Sequence, residues 1–151
     1  MKPDTNHLAP LLPVSLALLV VVCFGCWKPG AQRETELLAA QVKNEAGCTD
    51  KLRQWFATVA SMPHAEKSFE LLVPESLNSG WWRSAKAYAV WAGDGSLVRI
   101  NVTHGVYEPF VIVGAATATP DSLGFKQRAG DPPSFYAQVT TGIYTHSGNY
   151  K

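Results

Sequence analysis

The stretch AKAYAVWAGDGSLVRINVTH, residues 85–104, decides the fold because it predicts a β-hairpin. In its second half, Val98, Ile100 and Val102 alternate with polar side chains, which is the period of a strand that buries one face. The GDGS sequence at residues 93–96 supplies glycines that tolerate the positive φ angles of a tight turn. The pattern therefore predicts two antiparallel strands, with the three apolar side chains facing the core.

Strand patterns continue on both sides of this hairpin. PFVIVGAATA, residues 109–118, is a continuous apolar run typical of a central strand, and SFYAQVTT, residues 134–141, alternates again. SFELLV, residues 68–73, fits either a strand or the last turn of a helix. Together these segments predict a sheet of four or five mainly antiparallel strands.

Residues 31–60 are predicted to be helical, because they are rich in strong helix formers and contain no proline. A mostly apolar stripe recurs at spacings of three and four, and it comprises Leu38, Val42, Glu45, Cys48, Leu52, Trp55 or Phe56, and Val59. The segment is either one long helix or two helices broken near Gly47, with Thr49 or Asp50 capping the second. Leu52 and Phe56 are expected to pack on the hairpin strand.

The chain is long enough for one core once the apolar amino terminus is set aside, because about 120 residues remain. We expect residues 1–30 to form a hydrophobic membrane anchor or a signal or lipoprotein leader, followed by an amphipathic helical segment at residues 31–62. Residues 63–151 are expected to form the β-rich part of a single extracytoplasmic domain. The predicted fold class is α+β, with an apolar helix before one or two amphipathic helices that pack on the sheet.

The apolar amino terminus LAPLLPVSLALLVVVCFGCW, residues 8–27, contains no charge over 20 residues. As a helix it would be about 30 Å long, which matches the hydrocarbon thickness of a bilayer. Pro10 and Pro13 shorten the uninterrupted part to residues 14–24, which is the length of the apolar region of a signal peptide. A retained membrane anchor, a lipoprotein leader and a cleaved secretory signal all fit, and the retained anchor is our leading expectation.

Gly25 and Cys26 resemble the end of the lipobox of bacterial lipoproteins, in which the cysteine is acylated and becomes the new amino terminus. That family usually has Leu and a small residue at the two places where this chain has Cys23 and Phe24. The resemblance makes Cys26 the lipidation candidate. The third cysteine, Cys48, is expected to be buried, as free cysteines usually are.

The charge pattern and the motifs argue against several function classes. The formal charge is +1 without a block of basic residues, so no nucleic-acid partner is expected. The four histidines lack another histidine or a cysteine at a ligand spacing, so no metal site is expected. Neither a G-x-S-x-G nucleophile motif nor a glycine-rich phosphate loop occurs. We therefore expect a non-enzymatic protein, with no catalytic residues and no cofactor.

Trp81 and Trp82 follow Asn-Ser-Gly and precede Arg83, and these three side chains are the candidates for binding a partner or ligand. In a strand, adjacent side chains face opposite sides, so one indole is expected in the core and the other at the surface. We expect Trp81 to be the buried ring. An exposed indole beside a guanidinium could stack on a sugar or anchor a protein interface.

The predicted layout is an apolar amino-terminal helix, an amphipathic helix and a β-rich carboxy-terminal domain, as in small anchored envelope proteins. This layout resembles that of type IV pilins and pseudopilins, although the apolar run lacks the glutamate of that family. We expect an accessory or structural subunit of a larger membrane or envelope assembly, whose partners are the membrane and other protein subunits. A secreted or anchored domain that binds glycan through Trp81 or Trp82 is one alternative, and a pilin-like filament subunit is another. In each case the domain is expected to face the periplasm or the extracellular side.

Overall fold

A computed structural model describes residues 30–64, 66–78, 80–103, 109–125 and 134–147. They form two α-helices and a six-stranded sheet. The helices are α1 (Gly30–Asn44) and α2 (Cys48–Ala60), and the strands are β1 (Ser68–Leu71), β2 (Lys86–Trp91), β3 (Leu97–Thr103), β4 (Phe110–Val113), β5 (Phe135–Thr140) and β6 (Ile143–Ser147). Two short 3-10 helices, Glu75–Leu77 and Gly80–Ser84, lie between β1 and β2.

The sheet is antiparallel throughout, with the strand order β1-β2-β3-β4-β6-β5. Both helices lie against it: α1 contacts β5 and β6, and α2 contacts β3 and β4. The predicted α+β architecture is therefore confirmed. The predicted number of four or five strands is wrong, because residues 68–71 form a strand and the chain returns after Gly142 as β6. The predicted apolar helix falls within residues 1–29, which lie outside the described residues.

The hairpin of residues 85–104 is confirmed by the pairing of β2 with β3. In this register Ala89 lies opposite Ile100, and Ala87 lies opposite Val102. All four of these side chains are fully buried on the helix side of the sheet. These residues share one core cluster with buried side chains of both helices, and Ile100 and Val102 supply the larger apolar side chains of the four.

Val98 departs from the predicted alternation. In the β2–β3 pairing, Val90 lies opposite Arg99 and Trp91 lies opposite Leu97, so Val98 is the extra residue of a β-bulge. The Val98 side chain is half-buried, and Leu97 packs against the helix-side core instead. The expectation that Val98 faces the core is therefore wrong, because the bulge shifts the alternation by one residue.

The helical segment is broken at Gly47, which was one of the two predicted alternatives. The φ angle of Gly47 is +70°, in the left-handed region that favours glycine. Because α2 begins at the next residue, Thr49 and Asp50 lie inside its first turn, and neither of them caps the helix.

Among the described residues, no helix is long and apolar enough to cross a bilayer.

The helix-side core lies between the two helices and the sheet. Its buried members are Ala39, Val42, Cys48, Leu52, Trp55, Val59, Leu71, Leu77, Trp82, Ala87, Ala89, Trp91, Ile100, Val102, Val111, Val113, Val139 and Ile143. Cys48 is a member of this core, so its predicted burial is confirmed. Phe56 is partly buried and packs against the core, as expected for the apolar stripe of α2. Each fully buried Leu, Ile or Val in such a core contributes about 1.5 to 3 kcal/mol by leaving water.

A buried polar contact fixes α1 on β6. The Thr145 hydroxyl donates to the carbonyl oxygen of Thr35 over 2.8 Å, and the hydroxyl oxygens of Thr35 and Ser147 lie 2.7 Å apart. Every residue of β6 is buried, because α1 covers one face of this strand and the other face packs against Leu123 and Phe125, which follow β4 in the chain. The sequence of β6 therefore shows no alternation of apolar and polar residues, which explains why it was not predicted as a strand.

Candidate functional site

The tryptophan pair, Trp81 and Trp82, lies on the 3-10 helix Gly80–Ser84 and not on a strand. Its two indole rings stack with their centroids 3.9 Å apart, so they do not point to opposite sides. Trp82 is 1% exposed, whereas Trp81 is half-buried, and the expectation that Trp81 is the buried ring is therefore wrong. A 3-10 helix turns successive side chains by about 120° instead of the 180° of a strand, which brings the neighbouring rings together.

Trp82 joins the helix-side core to the connection between the two helices. Its indole Nε1 donates to Oε2 of Glu45 over 3.1 Å. The nearby Cys48 thiol has its pKa raised to about 11, chiefly because it is buried and also because the Glu45 carboxylate is close, while Lys51 acts in the opposite direction. The thiol therefore stays protonated at neutral pH, which is the state of a core cysteine and not of a nucleophile.

The predicted binding residues differ in what they can offer to a ligand. Trp82 is enclosed in the core, so only Trp81 and the exposed Arg83 present accessible surface. Binding through these two side chains stays a prediction. The lipidation candidate Cys26 lies outside the described residues. Within the described part of the chain, no three His, Cys, Asp or Glu side chains form a group that could hold a metal ion.

A second group of buried side chains covers the sheet face that is turned away from the helices. This outer cluster consists of Phe110, Ile112, Leu123, Phe125 and Tyr144, with Ala118 packed against it. Two of the residues come from β4 and one from β6, and the others come from the segment of residues 114–125 that follows β4. The segment therefore folds back over the strand that precedes it, and we call it the covering loop.

Two hydrogen bonds attach the covering loop to the sheet. The guanidinium Nη1 of Arg99 donates to the carbonyl oxygen of Leu123, and the Tyr144 hydroxyl donates to the carbonyl oxygen of Ala118 over 3.2 Å. The loop also depends on Gly142 in the β5–β6 turn, because a Cβ there would collide with the Ala115 carbonyl. Gly142 has a φ angle of +81°, so glycine suits both its conformation and this close approach.

His146 lies beside the outer cluster and is 4% exposed. Its imidazole stacks on Phe125 with a centroid distance of 4.8 Å and is tilted against Phe110 at 5.1 Å. The pKa of His146 is lowered from 6.5 to about 4, first because burial disfavours the charged ring and second because the Arg99 guanidinium is close. The imidazole is therefore neutral at pH 7.

Tyr136 brings the outer cluster to the molecular surface. It is 53% exposed, and its ring centroid lies 6.3 Å from that of Phe125 and 6.4 Å from that of Tyr144. Tyr136 belongs to β5, which stands at one end of the strand order in the described sheet. We call the three rings of Phe125, Tyr136 and Tyr144 the aromatic edge, in which the two buried rings support the exposed ring of Tyr136.

The sequence contained only part of the signal for this site. The alternation of SFYAQVTT places Tyr136 and Gln138 on one face of a strand, and the structure shows both of them exposed. No local pattern indicated that the covering loop would bring Phe125 against His146. These contacts join residues far apart in the sequence, so they depend on the strand order and not on a motif.

Comparison with known proteins gives no relative: no family model, no curated protein and no solved structure matches this chain. The aromatic edge, with the imidazole of His146 and the guanidinium of Arg99 behind it, is therefore defined by its geometry alone. An exposed phenol supported by packed rings is suited to binding, because it offers apolar area and a hydrogen-bonding group at one place.

Proposed function

We propose that this protein is a non-enzymatic, membrane-anchored subunit of a larger envelope assembly and that its α+β domain docks a protein partner at the aromatic edge. The observation that carries the proposal is the 53% exposure of Tyr136 on top of packed aromatic rings. Tyrosine is enriched among the side chains that contribute most to protein interfaces, because it combines a large rigid ring with a polar hydroxyl.

The position of Tyr136 at the side of the sheet supports a partner that presents an extended segment. Among the described residues, β5 forms strand pairing with β6 only. An end strand offers backbone N–H and C=O groups along its outer side, and proteins often use such groups to add a strand from a partner. The exposed side chains of Tyr136 and Gln138 would then contact alternate side chains of that segment.

Membrane anchoring is proposed from the uncharged run of residues 8–27, which has the length of a bilayer-spanning helix. A domain that follows one apolar segment lies on one side of the membrane. We propose the periplasmic or extracellular side, because the remainder of the chain is low in lysine and carries aromatic surface at Tyr136. The membrane and other protein subunits are the proposed partners.

A reporter fusion tests the side of the membrane. We expect alkaline phosphatase fused after Lys151 to be active, because this enzyme folds only where its disulfides can form. Green fluorescent protein fused at the same place should not fluoresce if the domain is exported. The opposite pair of results would place the domain in the cytoplasm and contradict the proposal.

Replacing Tyr136 with serine tests the docking site. We expect the full chain carrying Tyr136→Ser to fold normally, because the ring is half exposed, and to bind its partner about 30-fold more weakly, which corresponds to about 2 kcal/mol for a central aromatic contact. The measurement is quantitative mass spectrometry of partners that co-purify from membranes in detergent.

The matched control for this variant is Leu72→Ser. Leu72 is 93% exposed beyond β1, at the other side of the sheet, so its replacement removes an exposed apolar side chain away from the aromatic edge. We expect Leu72→Ser to retain every stoichiometric partner. Equal partner recovery from both variants and the wild type would refute docking at Tyr136.

Glycan binding is a second candidate, favoured by the half-buried Trp81 and the exposed Arg83 beside it. The accessible part of the indole would stack on a sugar ring, and the guanidinium would donate to its hydroxyl groups. Retention of the wild-type protein on cell-wall polysaccharide, lost in Trp81→Ala and kept in Tyr136→Ser, would favour this function over docking.

A further inference from the structure

His146 is a titratable side chain that the fold encloses between the sheet and the covering loop. It is 4% exposed, and its imidazole stacks on Phe125 of that loop at a centroid distance of 4.8 Å. Phe110 of β4 lies at 5.1 Å on another side. Through its contact with Phe125, the imidazole forms part of the surface on which the covering loop rests.

The contacts that hold the covering loop differ in their response to acid. The Arg99 guanidinium that donates to Leu123 and the Tyr144 hydroxyl that donates to Ala118 keep the same charge from neutral to mildly acidic pH. The imidazole that stacks on Phe125 gains a positive charge when it is protonated. Of these three contacts, acidification therefore changes the charge only at the one between His146 and Phe125.

We propose that the charge of His146 controls the covering loop: the neutral imidazole keeps residues 114–125 on the sheet, and the protonated imidazole releases them. This behaviour belongs to the chain by itself and is independent of any partner. A release would expose the outer cluster, including the rings on which Tyr136 rests.

The groups around His146 explain why its protonated form is disfavoured. From β3, the half-buried Arg99 places a positive charge close to the imidazole. From β5 and β6, Tyr136 and Tyr144 bring phenols, which carry no charge in acid, and Phe110 of β4 brings none at any pH. On the covering loop, Asp121 is exposed at the surface.

The direction of the pH effect follows from the pKa of His146, which is lowered to about 4 in the folded chain. In a released loop the imidazole reaches water, and its pKa returns to about 6.5. The contribution of His146 to holding the loop is therefore complete above pH 6.5 and is lost as the pH falls through 4. Between pH 7 and pH 4, the ratio of released to bound loop should rise by about a hundredfold.

Hydrogen exchange of the full chain in detergent tests this inference. The backbone N–H of Gly114 donates to the Gly142 carbonyl in the β5–β6 turn over 2.7 Å, so its protection factor reports attachment of the covering loop. The N–H groups of Leu123, Gly124 and Phe125 donate to carbonyl groups within the loop, so their protection factors report its internal order. After correction for the intrinsic pH dependence of exchange, we expect these factors to fall at least tenfold from pH 7 to pH 4. The amides of Ile100 and Val102, in the paired strand β3, should keep their protection over this range.

Two variants assign the effect to the imidazole. In His146→Phe the ring that stacks on Phe125 is kept without a titratable nitrogen, so the acid-dependent loss of protection should disappear. His64→Phe is the matched control, because His64 stacks on Trp91 at 3.8 Å, away from the covering loop, and this variant should behave as the wild type does. If His146→Phe does not fold, an NMR titration of the His146 ring in the wild type gives the answer without a variant, and we expect its pKa below 5.

Several results would overturn the inference. A His146 pKa near 6.5 would mean that the ring is not enclosed, and a loss of protection that persists in His146→Phe would assign the effect to another group. Equal loss at Ile100 and Val102 would show global acid unfolding instead of release of the loop. Unchanged loop protection at pH 4 would show that the charge of His146 does not control residues 114–125.

Discussion

Ile100→Asp is expected to unfold the domain at room temperature or to bring it close to unfolding. Ile100 is fully buried, and it lies between Ala89 of β2 and Val113 of β4 in the helix-side core. A carboxylate at this place has no partner and loses its water, and such buried charges cost about 4 kcal/mol or more. Small domains have only about 5 to 15 kcal/mol of total stability. Chemical denaturation followed by circular dichroism measures the loss.

Val98→Asp provides the control for this substitution. Val98 lies two residues earlier on the same strand, but it occupies the β-bulge and is half-buried. Its replacement should cost about 1 kcal/mol, because the carboxylate can reach water. Similar losses for Ile100→Asp and Val98→Asp would show that the bulge is misplaced and that the strand register differs from the one described.

Trp82→Ala is expected to lower the free energy of unfolding by about 3 to 5 kcal/mol, which is the range for truncating a buried aromatic ring. The ring is 1% exposed, and its loss would leave a cavity beneath the 3-10 helix Gly80–Ser84. The Glu45 carboxylate would also lose the indole N–H that donates to it over 3.1 Å. Thermal and chemical denaturation of the full chain measure the effect.

Trp81→Ala separates the two members of the tryptophan pair. Trp81 is half-buried and stacks on Trp82, so its removal should cost less than half as much stability as the removal of Trp82. The order of the two losses is the informative result. A larger loss for Trp81→Ala than for Trp82→Ala would contradict the burial of the pair and favour the strand-like arrangement that the sequence alone suggested.

Local sequence patterns predicted the features that local geometry controls. The hairpin turn at residues 93–96 depends on glycines, and the break between the helices depends on the positive φ angle of Gly47. The core positions Ile100 and Val102 follow from the alternation of one strand. These features involve neighbours within a few residues, which is the range over which periodicity is informative.

Local sequence patterns did not predict the features that depend on tertiary packing. The strand β6 is buried on both faces, so its Thr, His and Ser residues gave no strand pattern. The tryptophan pair looked like part of a strand, but Gly80, with its φ angle of +54°, begins a 3-10 helix. The environment of β6 depends on α1 and the covering loop, and that of the tryptophan pair depends on the backbone conformation that begins at Gly80.

The sequence predicted a different candidate site from the one that the structure presents, because the exposure of a side chain depends on tertiary packing. Trp81, Trp82 and Arg83 attract attention in the sequence because tryptophan and arginine are common in interfaces. The folded chain encloses Trp82 and leaves Tyr136 exposed at the side of the sheet. Tyr136 has no unusual sequence context, and its importance follows from the rings of Phe125 and Tyr144 that the strand order and the covering loop place beside it.

Docking at the aromatic edge is tested most directly by site-specific photocrosslinking in intact membranes. A photoreactive phenylalanine derivative would replace Tyr136 in one version of the full chain and Leu72 in the other, since both side chains are exposed at opposite sides of the sheet. We predict that the probe at position 136 forms one strong crosslink to a single protein and that the probe at position 72 does not form it. Absence of a crosslink at position 136, or the same set of crosslinks from both positions, would contradict docking at the aromatic edge.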